Sequence, residues 1–289
     1  MRRSFSKQQT TSVLTMTICA LAFVIGCETN PYTGRSQLLM TSVSEEMQMG
    51  AQAYDQVKSD PKMKASQDPR EIEPVKRVAA RIVEAAKRSK YAEMANQFQW
   101  EVTVIKDDKT ANAFALPGGK MAVYTGIFPI AKTEAGLAAV MGHEVVHALA
   151  RHGAERMSQG QLANAGLQVA GAAVGVAGGG GLVSQATMAA LGVGTQVGVL
   201  LPFSRKHESE ADYIGILLAA DAGYDPRESV ALWERMGQAS GGTGPAEFMS
   251  THPSHGTRIE QLKKWMPEAM AIYQSKQPIP AAELPTIGR

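Results

Sequence analysis

The chain has 289 residues, enough to bury one substantial core, and its 44% hydrophobic and 19% charged side chains are ordinary for a globular protein. Its formal charge of +2 comes from the N-terminus, because the first 26 residues carry Arg2, Arg3 and Lys7 and no acid. Without those three, the 29 basic side chains fall to 26 against 27 acids, net −1, and no basic field remains to suit a nucleic acid.

Residues 1–26 read as a secretory signal: a basic start, an apolar run from Val13 to Ile25, then Gly26 before Cys27. The run is shorter than the ~20 residues of a membrane-spanning helix, which favours a cleaved signal over a retained anchor. Cys19 and Cys27 are the only cysteines, so a processed chain keeps one and forms no internal disulfide. The stretch Val24-Ile25-Gly26-Cys27 resembles the lipobox of bacterial lipoproteins, which predicts a lipid on Cys27.

Residues 27–41 read as a polar, lipidated tether that then docks. Ser42 and Glu45 form a capping-box signal for a helix to about Lys58. Asp68-Pro69 opens a second helix, with Ile72, Val75, Val78, Ile82 and Ala86 at helical spacing. Trp100, Val102 and Val104 alternate with Glu101 and Thr103 as in a half-buried strand. Phe114 to Tyr124 reads as a hairpin turning at Pro117-Gly118-Gly119. Helices are predicted at about 133–158, 204–221, 226–239 and 258–266, and a proline-rich, loosely held tail at 267–289. From Met157 to Ser204 there is no charged residue before Ser204, and glycine and alanine dominate. A packed helical hairpin with its tip at Gly178–Gly181 is favoured there over a membrane-inserting element.

All six histidines lie between 143 and 255, and two of them form His143-Glu144-Val145-Val146-His147. Residues four apart share a helix face, so both imidazoles can reach one metal, while Glu144 beside them can take a proton from water. Two surface histidines on an amphipathic helix would give the same spacing, but Leu137, Val140, Met141, Val145, Ala148 and Leu149 predict a largely buried helix. Burial makes unpaired His and Glu costly unless something binds them. His152 lies nine positions after His143, about 180° around a continuous helix at 100° per residue, and is expected to point away as a solvated or capping residue.

The third ligand is sought in Ser204-Arg205-Lys206-His207-Glu208-Ser209-Glu210-Ala211-Asp212. Glu208 and Asp212 are four apart and share a face, whereas Glu210 lies about 200° away and is expected to be solvated. One carboxylate can bind the metal and the other can accept the N–H of a ligating histidine, fixing its tautomer.

These motifs resemble the gluzincin zinc metallopeptidase family of the HtpX and CAAX prenyl endopeptidase type, in its soluble periplasmic lipoprotein branch. The resemblance runs from about Asn30 to Pro267 and rests also on Asn30-Pro31-Tyr32-Thr33-Gly34, Asn112 to Gly119, and Ser250-Thr251-His252-Pro253. It implies one Zn2+ per chain held by His143, His147 and Glu208, with Glu144 as general base and Asp212 behind a ligating histidine. It implies that Asn112, Ala113 and Phe114 pair with extended substrate, that His252 can close the open metal position, and that Arg258 stabilises the oxyanion. His207 and His255 receive no role.

The expected fold is α+β, a mostly helical zincin-like domain over 42–266 with a small antiparallel sheet. The expected function is endoproteolysis of misfolded or mis-assembled cell-envelope proteins, that is, protein quality control. The alternative is a chaperone-like latent metallopeptidase that binds such proteins and seldom cuts. The expected setting is a periplasm-facing lipoprotein of the bacterial outer membrane. Its partners are unfolded envelope proteins and, through the lipid, a membrane surface.

Overall fold

The computed structural model describes residues 26–162, 203–240, 247–252 and 257–287. The signal segment up to residue 25, the uncharged stretch beyond residue 162, and the Pro253–His255 part of the histidine loop lie outside them.

A hairpin of β1 (Gly26–Thr29) and β2 (Ser36–Leu39) comes first, with Cys27 opposite Leu38. Helix α1 (Val43–Ser59) starts at Ser42 with the complete capping box that the sequence signalled. Helix α2 (Pro69–Arg88), capped by Asp68, and the short α3 (Ala92–Gln97) lead into β3 (Glu101–Ile105). Strands β4 (Ala113–Leu116) and β5 (Lys120–Tyr124) form the predicted hairpin, turned by Gly118 and Gly119 at φ +83° and +85°. A β carbon on Gly119 would stand 2.8 Å from the Trp100 ring, so glycine is required there on two counts.

The three strands lie in the order β3-β5-β4. The hairpin is antiparallel as expected, but β3 runs parallel to β5, so the sheet is mixed. That leaves β4 at the edge.

A 3-10 turn (Thr125–Ile127) and α4 (Phe128–Ala131) precede α5 (Glu134–Leu149), in which every residue is buried. Thr133 caps α5 by accepting from the Gly136 N–H at 3.0 Å. The expected single helix over 133–158 is broken. Ala150 ends α5, Arg151 turns through φ 56°, and a new helix α6 runs over 152–162. A left-handed residue after a helix end is usually glycine. Here Arg151 is held by Glu46 at 2.6 and 3.0 Å, by the Thr41 carbonyl at 2.7 Å, and by Glu28 of β1.

Helix α7 (Arg205–Asp221), capped by Ser204, packs across α5. The crossing needs two glycines: a β carbon on Gly142 would meet the Gly215 carbonyl oxygen at 2.9 Å, and one on Gly215 would meet His143 N at 2.9 Å. This close approach sets the start of α7 beside the middle of α5. Helices α8 (Arg227–Ser240), α9 (Glu247–Thr251) and α10 (Arg258–Gln274) complete the domain. The architecture is α+β and mostly helical, as expected. Among the described residues no helix is long and apolar enough to cross a membrane.

The loosely held tail over 267–289 is corrected. Helix α10 passes through Pro267, whose position is exposed, as is Lys263 one turn earlier, so the carbonyl that proline leaves unpaired can meet water. Trp265 packs on Tyr213 at 5.2 Å, and Leu262 and Ala269 are buried on either side of the proline. Beyond the helix, Ile279 N–H donates to Gly223 (2.9 Å), Glu134 N–H to Ala282 (2.8 Å) and Leu284 N–H to Lys132 (2.8 Å). Leu284 and Ile287 are buried. Apolar anchors spaced between the prolines, not helix propensity, hold this segment.

Candidate metal centre and substrate cleft

Helix α5 presents His143 and His147 on one face, and α7 brings Glu208 against them. His252, at the end of α9, closes the group. One donor atom from each of His143, His147, Glu208 and His252 lies within 4.8 Å of every other, and all four residues are buried.

The proton pattern follows from the partners. His143 Nδ1 lies 3.0 Å from Asp212 Oδ1, so it carries the proton and leaves a lone pair on Nε2. His143 Nε2 stands 3.1 Å from His147 Nε2 and 3.2 Å from His252 Nδ1, while His252 Nδ1 is 3.0 Å from Glu208 Oε1. Glu208 lies 3.5 Å from both His143 Nε2 and His147 Nε2. A tetrahedral site with metal–nitrogen bonds of about 2.0–2.1 Å has donor–donor edges of about 3.3–3.4 Å. Imidazole lone pairs converging on a buried carboxylate at such spacings repel unless they share a cation. The donor set fits a zinc ion, with His143, His147 and Glu208 as three ligands and His252 as a fourth.

Asp212 and Arg258 sit behind this set. Arg258 Nη2 donates to Asp212 Oδ1 at 2.7 Å, Nε donates to Oδ2, and Nη1 stands 3.0 Å from Glu208 Oε2. The guanidinium lies 3.3 Å from the Trp233 ring centre and is buried. Arg258, expected to face the oxyanion, is instead directed to the two carboxylates and holds Glu208 and Asp212 in place. Burial raises the Glu144 pKa above the ordinary carboxylate value, against the pull of His252 and His143. Burial also opposes ionisation of Glu208, but His252 and His143 hold its pKa well below the usual range. The pKa values of two carboxylates in one pocket are thus pushed apart, Glu208 down and Glu144 up.

Glu144 Oε1 is buried with no hydrogen-bond partner among the described residues and lies 3.3 Å from His252 Nε2. It opens onto a cleft lined by Asn112, Ala113, Phe114 and Ala115 on one side and by His147, Phe203, Thr251 and His252 on the other. The edge strand β4 therefore borders the metal centre. Asn112 turns its Oδ1 onto the Ala113 N–H at 2.9 Å. Phe203 and Phe248 stack on the two sides of His252, at 5.3 and 4.5 Å. Phe248 N–H donates to the Ala111 carbonyl at 3.2 Å, tying α9 to the start of the edge strand.

Two expectations are corrected. His152 is completely buried, not solvated: its Nδ1 lies 3.0 Å from His147 Nδ1 and its Nε2 3.1 Å from Glu210 Oε2. The turn at Arg151 resets the helical phase, so the 100° count from His143 does not reach His152. Glu210 is buried as well, and accepts from Arg35 and Thr33. Its sequence signal is absent, since its partners are about 175 residues away. His207, given no role, is buried with Nε2 on Glu155 at 3.0 Å.

The fold and this site define a zinc metalloendopeptidase. Residues 70–266 match the model of peptidase family M48, and the chain belongs to that family. It is 40% identical over 242 residues to the mitochondrial metalloendopeptidase OMA1 of Schizosaccharomyces pombe, covering 83% of this chain and 66% of that one. It is 31% identical over 266 residues to the human mitochondrial metalloendopeptidase OMA1, covering 85% and 47%. It is 29% identical over 289 residues to the β-barrel assembly-enhancing protease of Escherichia coli K12, covering 96% and 56%. The chain thus spans about half to two thirds of these relatives.

The yeast and human proteins are named mitochondrial and exceed the bacterial protease in identity. That overturns the expected placement in the bacterial outer membrane.

Proposed function

We propose that the protein is a zinc-dependent endopeptidase of protein quality control, taking unfolded or mis-assembled polypeptides as an added strand along β4. The observation that carries this reading is the shared cleft. Asn112, residues Ala113 to Ala115 of the edge strand and the unpartnered Glu144 Oε1 line the same narrow space. Strand addition binds main chain and tolerates many side chains, which suits substrates defined by being unfolded.

When bound, zinc supplies a Lewis acid that polarises the scissile carbonyl and lowers the pKa of water. Glu144 takes the proton of the attacking water at Oε1 and returns it to the leaving amine. Asp212 keeps the His143 Nδ1 proton in place, and Arg258 keeps Asp212 and Glu208 aligned.

His252 makes the described state a latent one, because a fourth protein donor fills the position that a catalytic site keeps open. Cleavage requires α9 to swing away, releasing Phe248 from Ala111. A substrate strand that binds the released edge shifts this balance, since it binds only the open form. The same geometry supports a binding protein that seldom cuts. The deciding test is casein cleavage with and without a chelator, alongside Glu144→Gln. Chelator-sensitive cleavage that Glu144→Gln abolishes while zinc content stays at one per chain is the expected result. Cleavage that survives both treatments overturns the reading, and none under any condition favours the binding alternative.

A further inference from the structure

We propose that His152 is the positioning residue of His147, and that Glu210, clamped by Thr33 and Arg35 of the N-terminal hairpin, fixes His152 in the tautomer this requires. The proposal rests on the reading of the centre as a zinc site.

Its argument is proton bookkeeping. For His147 to offer a lone pair at Nε2, its Nδ1 must carry the proton. The acceptor 3.0 Å away is His152 Nδ1, so that atom must be bare and the His152 proton must sit on Nε2. There it donates to Glu210 Oε2 at 3.1 Å. The opposite tautomer would set two N–H groups face to face between His147 and His152. Glu210 is held as a pure acceptor: Arg35 Nη2 reaches Oε2 at 2.8 Å, Arg35 Nε reaches Oε1 at 2.9 Å, and Thr33 Oγ1 donates to Oε1. Every step fixes the direction of the next.

The ring plane of His152 is fixed too. His207 stacks on it with centroids 4.5 Å apart and an 18° tilt, and is itself anchored to Glu155. Arg35 joins Glu155 to Glu210, with contacts of 2.7 and 2.8 Å to Glu155. A buried histidine could be packing alone, but packing would not need both of its nitrogens matched to a ligand on one side and a carboxylate on the other. Thr33 and Arg35 lie outside residues 70–266, so the hairpin is a working part of the metal centre contributed from beyond the family match.

The test measures zinc affinity by competition with a chelating dye, and the visible spectrum of the cobalt-substituted protein, for the full chain and three variants. His152→Phe keeps the shape but offers no acceptor. His152→Gln restores an acceptor and a donor. Glu210→Gln is nearly isosteric; with its amide oxygen kept at the position that accepts from Arg35 Nε and Thr33 Oγ1, its N–H falls opposite His152 Nε2 and favours the wrong tautomer. Loss of an outer partner to a ligating histidine typically weakens metal binding about 10–100-fold, the loss expected for His152→Phe and Glu210→Gln, with His152→Gln within about threefold of wild type. The cobalt spectrum should change in His152→Phe and Glu210→Gln and not in His152→Gln. Wild-type affinity and spectrum in His152→Phe overturn the proposal, as does a His152→Gln variant as weak as His152→Phe. If His152→Phe does not fold, unchanged zinc affinity in Glu210→Gln overturns it alone. A wild-type protein that binds no zinc overturns the metal reading beneath it as well.

Discussion

His143 and His147 stand one turn apart on the same helix and are supported in opposite ways. His143 leans on a carboxylate, Asp212, that a buried arginine from α10 holds in place. His147 leans on another histidine, His152, which reaches a carboxylate only at second hand, through Glu210 and the N-terminal hairpin. The first support is compact, charged and made wholly within residues 70–266. The second is longer, draws on residues 33 and 35, and depends on the chain reversing its twist at Arg151. The difference teaches that two histidines of one motif can be positioned by networks of different cost. The first should fail by leaving carboxylates unpaired, the second by losing a direction of hydrogen bonding between its two histidines.

The largest expected effect lies on the His143 side. Arg258 is buried between Asp212 and Glu208 and over Trp233, so Arg258→Ala leaves two buried carboxylates without their cation. Breaking a buried ion pair from one side costs roughly 3–5 kcal/mol. Chemical denaturation should show a loss of that size, with zinc content falling in parallel. A loss under about 1 kcal/mol would mean that the pair is screened by water, as at a surface.

Next comes Asp212→Asn. The amide can still meet His143 Nδ1–H through its oxygen, but Arg258 loses one of its two ionised partners, so zinc affinity should fall by roughly 10–100-fold. Metal titration of Asp212→Asn beside Glu210→Gln tests the comparison directly. The His143-side variant should lose more stability along with its metal than the His147-side variant, because Arg35 keeps Glu155 as a second ionised partner when Glu210 is neutralised.

How far the two sides could be read from the sequence follows the same division. His143, His147, Glu208 and Asp212 obey a spacing of four within unbroken helices, so their faces could be counted. Their meeting point depends on Gly142 and Gly215, whose roles become visible only when the helices cross. The capping box at Ser42, the helix start at Asp68-Pro69 and the hairpin at Pro117-Gly118-Gly119 are local signals, and each was legible. Glu210 looked solvated because its partners, Thr33 and Arg35, come from a hairpin that no local pattern connects to it. The tail beyond Pro267 looked loose because proline outweighs a few spaced apolar anchors in any local reading.

A smaller effect, on the His147 side, is one of pH. Glu155 accepts from His207, Arg35 and Gln37. Burial would raise its pKa, but these partners hold it well below the ordinary value of 4.5. A depressed carboxylate contributes stability that is fully present above its unfolded pKa and is lost as pH falls through the folded one. The contribution should therefore be whole at neutral pH and vanish only in strongly acidic solution. Glu155→Gln should cost roughly 1.5–3 kcal/mol at pH 7, the size of a hydrogen bond to a charged group. Denaturation curves should converge with wild type as pH drops below 4.5, since a protonated Glu155 resembles glutamine. A gap that stays constant down to acid unfolding would show that packing, not charge, carries it.

The smallest effect concerns the turn on which the whole His147 support depends. Arg151 occupies the left-handed region at φ 56°, where a β carbon costs about 1 kcal/mol relative to glycine. Its side chain offsets that strain by joining Glu46, Glu28 and the Thr41 carbonyl. Both Arg151→Ala and Arg151→Gly remove those contacts, but only the alanine keeps the strain. Both should be less stable than wild type, with the glycine variant the better by about 1 kcal/mol. The extra freedom that glycine brings to the unfolded chain works against that margin, so a gap somewhat under it still fits the turn as described. The zinc affinity of Arg151→Gly should match wild type, because the turn and hence the direction of His152 survive. A glycine variant less stable than the alanine variant would mean that Arg151 does not hold a strained left-handed turn. The reversal that carries His152 back to His147 would then need another cause.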